Sequence, residues 1–258
     1  MLLAVDVGNT QTHIGIFSGD EIVAQWRTST EPRRTDDELA LVFRDFLSLA
    51  DLSFSRQVTG VVIASVVPTL TGALKEMVER YFHFDPVVIE PGTKTGMPIL
   101  TDNPREVGAD RIANAVAAFD IAGGPVIAID FGTATNFDVV SEGGDYLGGA
   151  IAPGVMVSAG ALWNSAAKIQ KVELVAPKSV IGKSTIECVR SGVLIGAASM
   201  VEGMVERIQD ELGAQAKLIG TGGLAPLVLA DANVTVKLEP TLTLLGLKII
   251  YERNVDID

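Results

Sequence analysis

Val5-Asp6-Val7-Gly8-Asn9-Thr10-Gln11-Thr12 follows an apolar start, Leu2-Leu3-Ala4, and runs into a second apolar segment, His13-Ile14-Gly15-Ile16-Phe17. Two apolar stretches around a Gly-Asn-Thr turn read as a β-hairpin. The turn suits a phosphate. Gly8 lets backbone N–H groups approach closely, Asn9 tolerates a turn, and the hydroxyls of Thr10 and Thr12 can donate to phosphate oxygens. Asp6, at the strand end, is placed to hold a metal ion or its water beside that phosphate. Alone, the stretch is also compatible with an ordinary hairpin, because Asp-x-Gly is a common turn spelling.

A second copy changes that balance. Ala128-Ile129-Asp130-Phe131-Gly132-Thr133-Ala134-Thr135-Asn136-Phe137-Asp138-Val139-Val140 again gives a strand, Asp-x-Gly followed closely by threonines, and a strand. A turn recurring by chance rarely keeps Asp, Gly and hydroxyl in register. Two phosphate loops facing each other across a cleft hold ATP in the actin, sugar-kinase and chaperone-ATPase superfamily, and the chain resembles that superfamily. The resemblance implies an α/β chain with a duplicated actin/sugar-kinase-like (ribonuclease H-like) ATPase fold. Its two similar domains, expected over 1–122 and 123–258, would have the ATP cleft between them.

Composition sets outer bounds. The 258 residues are 48% hydrophobic with 26 Gly, and mean hydropathy is +0.35, ample for large cores with close backbone packing. A net charge of −12 argues against general nucleic-acid or anionic-membrane binding, which need basic surfaces. An anionic small substrate remains compatible with a locally basic pocket. Cys188, the one cysteine, allows no internal disulfide and no cysteine zinc cluster. It is expected as a small buried group. The N-terminus lacks a basic region and carries Asp6 in its first apolar run, unlike a signal peptide. No uninterrupted apolar run nears the roughly 18 residues of a spanning helix. A soluble, cytoplasmic protein is expected.

In order, Glu21–Thr28 alternates as a half-exposed strand, with Trp26 on the sheet edge. Thr35-Asp36-Asp37-Glu38 spells a capping box before a helix with a Leu39, Val42, Phe43, Phe46, Leu47 stripe. A buried strand over 58–67, a helix over 70–81 and a strand over 85–90 follow. A Gly/Pro/Asn-rich loop then delivers Gly108-Ala109-Asp110-Arg111 at the start of a helix. In the second half, a strand ends in Gly148-Gly149-Ala150-Ile151-Ala152-Pro153-Gly154, and a helix is expected over 155–168. Ser184-Thr185-Ile186-Glu187 spells a second capping box, opening a long helix on which Gly192, Gly196, Ser199 and Gly203 share a face. That face suits close helix approach, in a core or a dimer seam. Thr221-Gly222-Gly223 follows a strand as a turn able to wrap a nucleotide's base or ribose. A helix is expected over 240–251.

Phosphoryl transfer to an alcohol needs a base near the hydroxyl, cations and positioning. Asp110 is the best candidate base, and Arg111 beside it can hold an anionic or polyhydroxy acceptor. A surface Asp-Arg pair at a helix start is the plainer alternative. His13 and His83 are too few for a relay. Gly182-Lys183-Ser184 lacks the upstream glycine and strand of a P-loop.

Five elements in order carry a closer likeness. They are Asp6-Val7-Gly8-Asn9-Thr10, Asp102-Asn103-Pro104 with Glu106–Arg111, Asp130–Thr135, Gly148–Gly154, and Thr221-Gly222-Gly223. Together they resemble type III pantothenate kinase from residue 1 to about 253. The resemblance implies ATP-dependent phosphorylation of pantothenate, the first step of coenzyme A synthesis. It implies that Asp6, Val7, Gly8, Asn9, Thr10, Gln11, Thr12 and His13 contact ATP, with Mg²⁺ accompanying it and Asp6 a candidate ligand. Gly108, Ala109, Asp110 and Arg111 would hold pantothenate, with Asp110 as proton acceptor. Asp130 would help bind a monovalent cation, K⁺ or NH₄⁺. Thr133 would touch ATP. Thr185 would reach pantothenate in the neighbouring subunit of a homodimer. Two positions depart from the pattern: Thr101 stands where relatives often have Tyr, and Asn136 where Thr is frequent. An ATPase acting on another acceptor and a catalytically silent accessory protein are the competing readings.

Overall fold

The computed structural model describes residues 1–54, 57–166 and 170–255. Its first half begins with β1 (Leu2–Val7), β2 (Gln11–Ser18) and β3 (Glu21–Ser29), followed by α1 (Asp36–Leu49), β4 (Gly60–Ser65), α2 (Pro68–Phe82) and β5 (Val87–Val88). The strands form one sheet in the order β3-β2-β1-β4-β5. β1 and β4 run parallel at its centre. Leu3, Ala4, Val5, Val7 and Val61–Ala64 are at most 1% exposed. Such strands, buried on both faces, need the near-continuous apolar sequence they have. β3 is the edge and alternates exposed with half-buried residues. Trp26 on it stacks on Phe46 of α1. The α1 capping box forms as spelled: the Thr35 hydroxyl accepts from the Glu38 N–H, and the Glu38 carboxylate accepts from the Thr35 N–H. Pro68 starts α2, where a missing N–H costs nothing.

After a 3₁₀ turn (Pro104–Glu106), α3 spans Ala109–Ala122. Then come β6 (Val126–Phe131), β7 (Ala134–Val140), β8 (Tyr146–Pro153), α4 (Val155–Ser165), α5 (Thr185–Leu212), β9 (Lys217–Thr221), α6 (Ala225–Leu229) and β10 (Lys237–Leu238). The second sheet has the order β10-β9-β6-β7-β8, the plan of the first. The end of the helix expected over 155–168 lies outside the described residues. The strand expected over 85–90 shortens to Val87–Val88.

The last helix, α7 (Leu242–Asn254), corrects the expected domain division. It packs on β1 and β4, so the first unit is Met1–Ala117 plus this helix, and the second is Ala118–Thr241. The expected 1–122/123–258 split therefore misassigns the C-terminus, and the boundary falls inside α3. The physical reason is α7's apolar surface: Leu242, Leu244, Leu247 and Ile250 are fully buried. A Cβ on Gly15 of β2 would lie 2.7 Å from a Leu244 methyl. Lys248, also buried, reaches Asp20 in the β2–β3 turn at 2.8 Å and Glu252 at 2.6 Å. Burial works against its charge, and these two carboxylates outweigh it, raising its pKa.

Candidate active site

The two hairpins share one register. In the first, Asp6 lies opposite His13 and Val7 opposite Thr12. In the second, Asp130 lies opposite Asn136 and Phe131 opposite Thr135. On their other sides, Asp6 pairs with Ala64 of β4 and Asp130 with Thr221 of β9. The turns close alike: the Gly8 N–H donates to the Gln11 carbonyl, and the Gly132 N–H to the Ala134 carbonyl, both at 3.0 Å. The first turn is longer by one residue.

Asn9, Thr10 and Gln11 are exposed at the tip of the first turn. Thr12 is not: its buried hydroxyl shares a 3.0 Å hydrogen bond with the Thr30 hydroxyl, which donates to the Gly8 carbonyl at 2.8 Å. Thr12 thus braces the turn from beneath, and the hydroxyl expected to meet a phosphate is turned into the protein. His13 Nε2 is 3.0 Å from Gln25 Oε1. Burial holds the His13 imidazole below its ordinary pKa; Gln25 partly opposes this and the Arg27 charge adds to it.

Gly132 and Thr133 are exposed on the second turn. Two distant glycines close on its backbone. The Gly154 N–H donates to the Thr133 carbonyl at 3.1 Å, and a Cβ on Gly154 would stand 2.3 Å from that oxygen. Gly222 has φ +94°, and a Cβ there would stand 2.6 Å from the Phe131 carbonyl. The Gly148–Gly154 and Thr221–Gly223 stretches are thereby brought to the Asp130 loop. Asp130 and Asn136, paired across the strands, put side-chain oxygens on one face. Carboxylate and amide oxygens are the donor type that hard cations take. The first hairpin sets an imidazole opposite its carboxylate instead. Among the described residues no cluster of three His, Cys, Asp or Glu could hold a metal alone.

Asp110 and Arg111, both half-exposed, occupy the first turn of α3, where an acidic side chain complements the helix dipole. The Asp110 carboxylate folds back over Gly108, so a Cβ on Gly108 would lie 2.5 Å from Asp110 Oδ1. Upstream, the Asn103 amide donates to Glu106 Oε1 at 2.6 Å and its oxygen accepts from the Arg105 N–H at 3.3 Å. The buried Thr101 hydroxyl has no hydrogen-bond partner among the described residues.

Thr185 is the first residue of α5 and is exposed. It borders a cavity of about 310 Å³ with Lys171, Glu173 and Arg190. The Arg190 Nε–H donates to the Glu173 carbonyl at 2.8 Å. The second capping box is shifted by one residue: Ser184 accepts from the Glu187 N–H, but Glu187 accepts from the Lys183 N–H. Cys188 is exposed, not buried as expected, because α5 turns Val189, Leu194, Ala198, Val201 and Val205 inward and leaves Cys188, Gly192, Gly196 and Ser199 outward. α5 is long and apolar enough to pass as a membrane span by length and composition, a test that the core helix of a soluble protein also passes. Its buried face packs in the core of the second unit.

Two features were not read from the sequence, Asn114 and Gly246, the latter leaving room for the Ala113 carbonyl. Asn114 is fully buried and accepts from the Thr243 hydroxyl at 2.8 Å. A polar residue within an otherwise apolar helix face was the available signal for it.

The model of the type III pantothenate kinase family matches residues 2–207. A type III pantothenate kinase of Moorella thermoacetica is 50% identical over 254 residues, covering 98% of this chain and all of that one. The corresponding protein of Frankia casuarinae is 51% identical over 256 residues, covering 99% and 100%. Solved structures share the fold at low identity. Component A of Acidaminococcus fermentans (R)-2-hydroxyglutaryl-CoA dehydratase has TM-score 0.56 at 17% identity, over 97% of this chain and 95% of that one. The activator of the 2-hydroxyisocaproyl-CoA dehydratase from Clostridium difficile, solved with ADPNP, has TM-score 0.55 at 13%, over 97% and 93%. With the duplicated hairpin plan, these matches establish that the chain belongs to the type III pantothenate kinase family.

Proposed function

We propose that the chain transfers the γ-phosphoryl group of ATP to the primary hydroxyl of pantothenate, giving 4′-phosphopantothenate for coenzyme A synthesis in the cytoplasm. One observation carries this reading. Two hairpins with matched Asp–turn–strand register occur in a chain half identical, over nearly all its length, to relatives named for that reaction.

The hydroxyl proton passes to the Asp110 carboxylate as the hydroxyl oxygen bonds to the γ-phosphorus. The bond to the β–γ bridging oxygen breaks and ADP departs. The Asp6–His13 turn holds phosphate oxygens through backbone N–H groups and Thr10. Thr133 contacts the nucleotide from the second turn. Gly108, Ala109 and Arg111 hold the acceptor beside Asp110. A divalent cation bound with ATP offsets charge on the phosphates, and Asp6 is its candidate ligand. Asp130, with Asn136 opposite, is the seat for a monovalent cation. The outward face of α5, with open space over Gly192 and Gly196 and exposed Ile186 nearby, is the seam of a homodimer in which Thr185 serves the partner's acceptor site.

Mass spectrometry of a reaction with ATP, Mg²⁺, K⁺ and pantothenate tests the reading. A singly phosphorylated pantothenate, absent with Asp110→Asn, supports it. ADP without that product contradicts it.

A further inference from the structure

α3 and α7 approach closely at Ala113 and Gly246. Ala113 of α3 is fully buried. A Cβ on Gly246 of α7 would stand 1.9 Å from the Ala113 carbonyl, so the two backbones touch. Glycine at residue 246 is what allows so close an approach. A buried polar contact lies beside it. Asn114 is 0% exposed, and the Thr243 hydroxyl, one turn before Gly246, donates to its Oδ1 at 2.8 Å. Burying an amide costs free energy unless it is paired. A buried polar pair of this kind is best known for fixing register between helices. Asn114 also lies one helical turn beyond Asp110 on the same side of α3.

α7 holds the other approaches to the acceptor segment as well. The Asn254 side chain accepts from the Lys94 N–H at 3.0 Å and donates to the Lys94 carbonyl at 2.9 Å. Arg253 donates to the Thr95 carbonyl. Leu244, beside Thr243, packs on Gly15 in the strand that carries His13. One helix therefore touches the phosphate hairpin, the loop leading to Gly108, and α3.

We propose that the Asn114–Thr243 hydrogen bond is a register pin that sets the height of Asp110 and Arg111 relative to the Asp6 hairpin. Thr243 is a positioning residue, and α7 is the splint through which it acts. The proposal rests on the reading of Gly108–Arg111 as the acceptor site. Displacements of about 1 Å at a reacting group can cost 10²-fold, so a shift too small to unfold the protein is large enough to measure.

Thr243→Val keeps the side-chain shape and removes the donor; Thr243→Ser keeps the donor. Both are assayed in the full chain for kcat and KM with each substrate, beside melting temperature and Asp110→Asn. Thr243→Val is expected to lose roughly 10- to 100-fold in kcat/KM for the acceptor, with KM for ATP unchanged. Thr243→Ser should restore most of it. A lower melting temperature with unchanged kinetics, a loss shared equally by Thr243→Ser, or an equal weakening of ATP binding overturns the pin. If Asp110→Asn stays active, the base assignment fails by itself. The acceptor KM of Thr243→Val still reports on the pin, because Gly108 and Arg111 move with the same helix.

Discussion

The Asp110 carboxylate lies in the space that a side chain at residue 108 would fill: a Cβ on Gly108 would be 2.5 Å from Asp110 Oδ1. Glycine is thus required for the rotamer of its neighbour. Gly108→Ala should leave the fold and ATP affinity intact and swing the carboxylate aside. A fall of about 10- to 100-fold in kcat/KM for pantothenate is expected, on the scale of a misplaced catalytic group. Steady-state kinetics with pantothenate varied, beside ATP-binding calorimetry, checks it. Unchanged kinetics would mean that this rotamer is not the working one.

Removing the base itself should cost more. Asp110→Asn preserves size and the helix start, and is expected to lose roughly 10²- to 10⁴-fold in kcat while still binding ATP. Single-turnover measurements separate chemistry from binding. A near-normal rate would exclude Asp110 as proton acceptor.

The second loop depends on backbone contact. Gly222→Ala forces a Cβ at φ +94° into the Phe131 backbone, a strain of about 1–3 kcal/mol. Weaker ATP binding and a lower melting temperature are expected together. Gly160→Ala, inside α4 with nothing within 4 Å, is the control and should be neutral or stabilising by about 0.4–1 kcal/mol. If both variants bind ATP as the wild type does, Gly222 does not shape the nucleotide site.

His13 gives a pH signature. Its folded pKa lies below the ordinary 6.5, chiefly through burial. The unfolded chain then binds more protons in the interval between the two values, so stability falls as pH drops through 6.5 toward the lowered value. His13→Gln should flatten that part of a melting-temperature profile taken between about pH 7 and pH 5. A profile identical to the wild type would show that other groups carry the acid sensitivity.

Much of the fold was legible because its chemistry is local. Asp6-Val7-Gly8 and Asp130-Phe131-Gly132 each announce a strand ending in a turn, and the apolar runs around them announce buried strands. The equal registers were partly hidden, since the two turns differ by one residue. The return of α7 to the first unit was not legible. Its partners, Gly15 and Ala113, are remote in sequence, and a helix apolar on several sides does not say which sheet it joins. Thr12 was misread for a related reason: a hydroxyl in a phosphate-like turn looks available until Thr30 is found beneath it. Cys188 followed the same logic, because α5 is apolar enough that composition does not reveal which face is outward.

The cation assignment has its own test. Asp130→Ala should abolish any preference for potassium over sodium, because it removes the charged half of the Asp130–Asn136 pair. Asn136→Ala should weaken that preference less. Titration of each variant with KCl at constant ionic strength measures it. Retained dependence in Asp130→Ala would place the cation elsewhere.

The most direct measurement is ADP release coupled to a reporter, with ATP and Mg²⁺, run with and without pantothenate, in potassium and then in sodium alone. The account predicts release that requires pantothenate and is much faster in potassium. Release indifferent to pantothenate, or none in either salt, would contradict it.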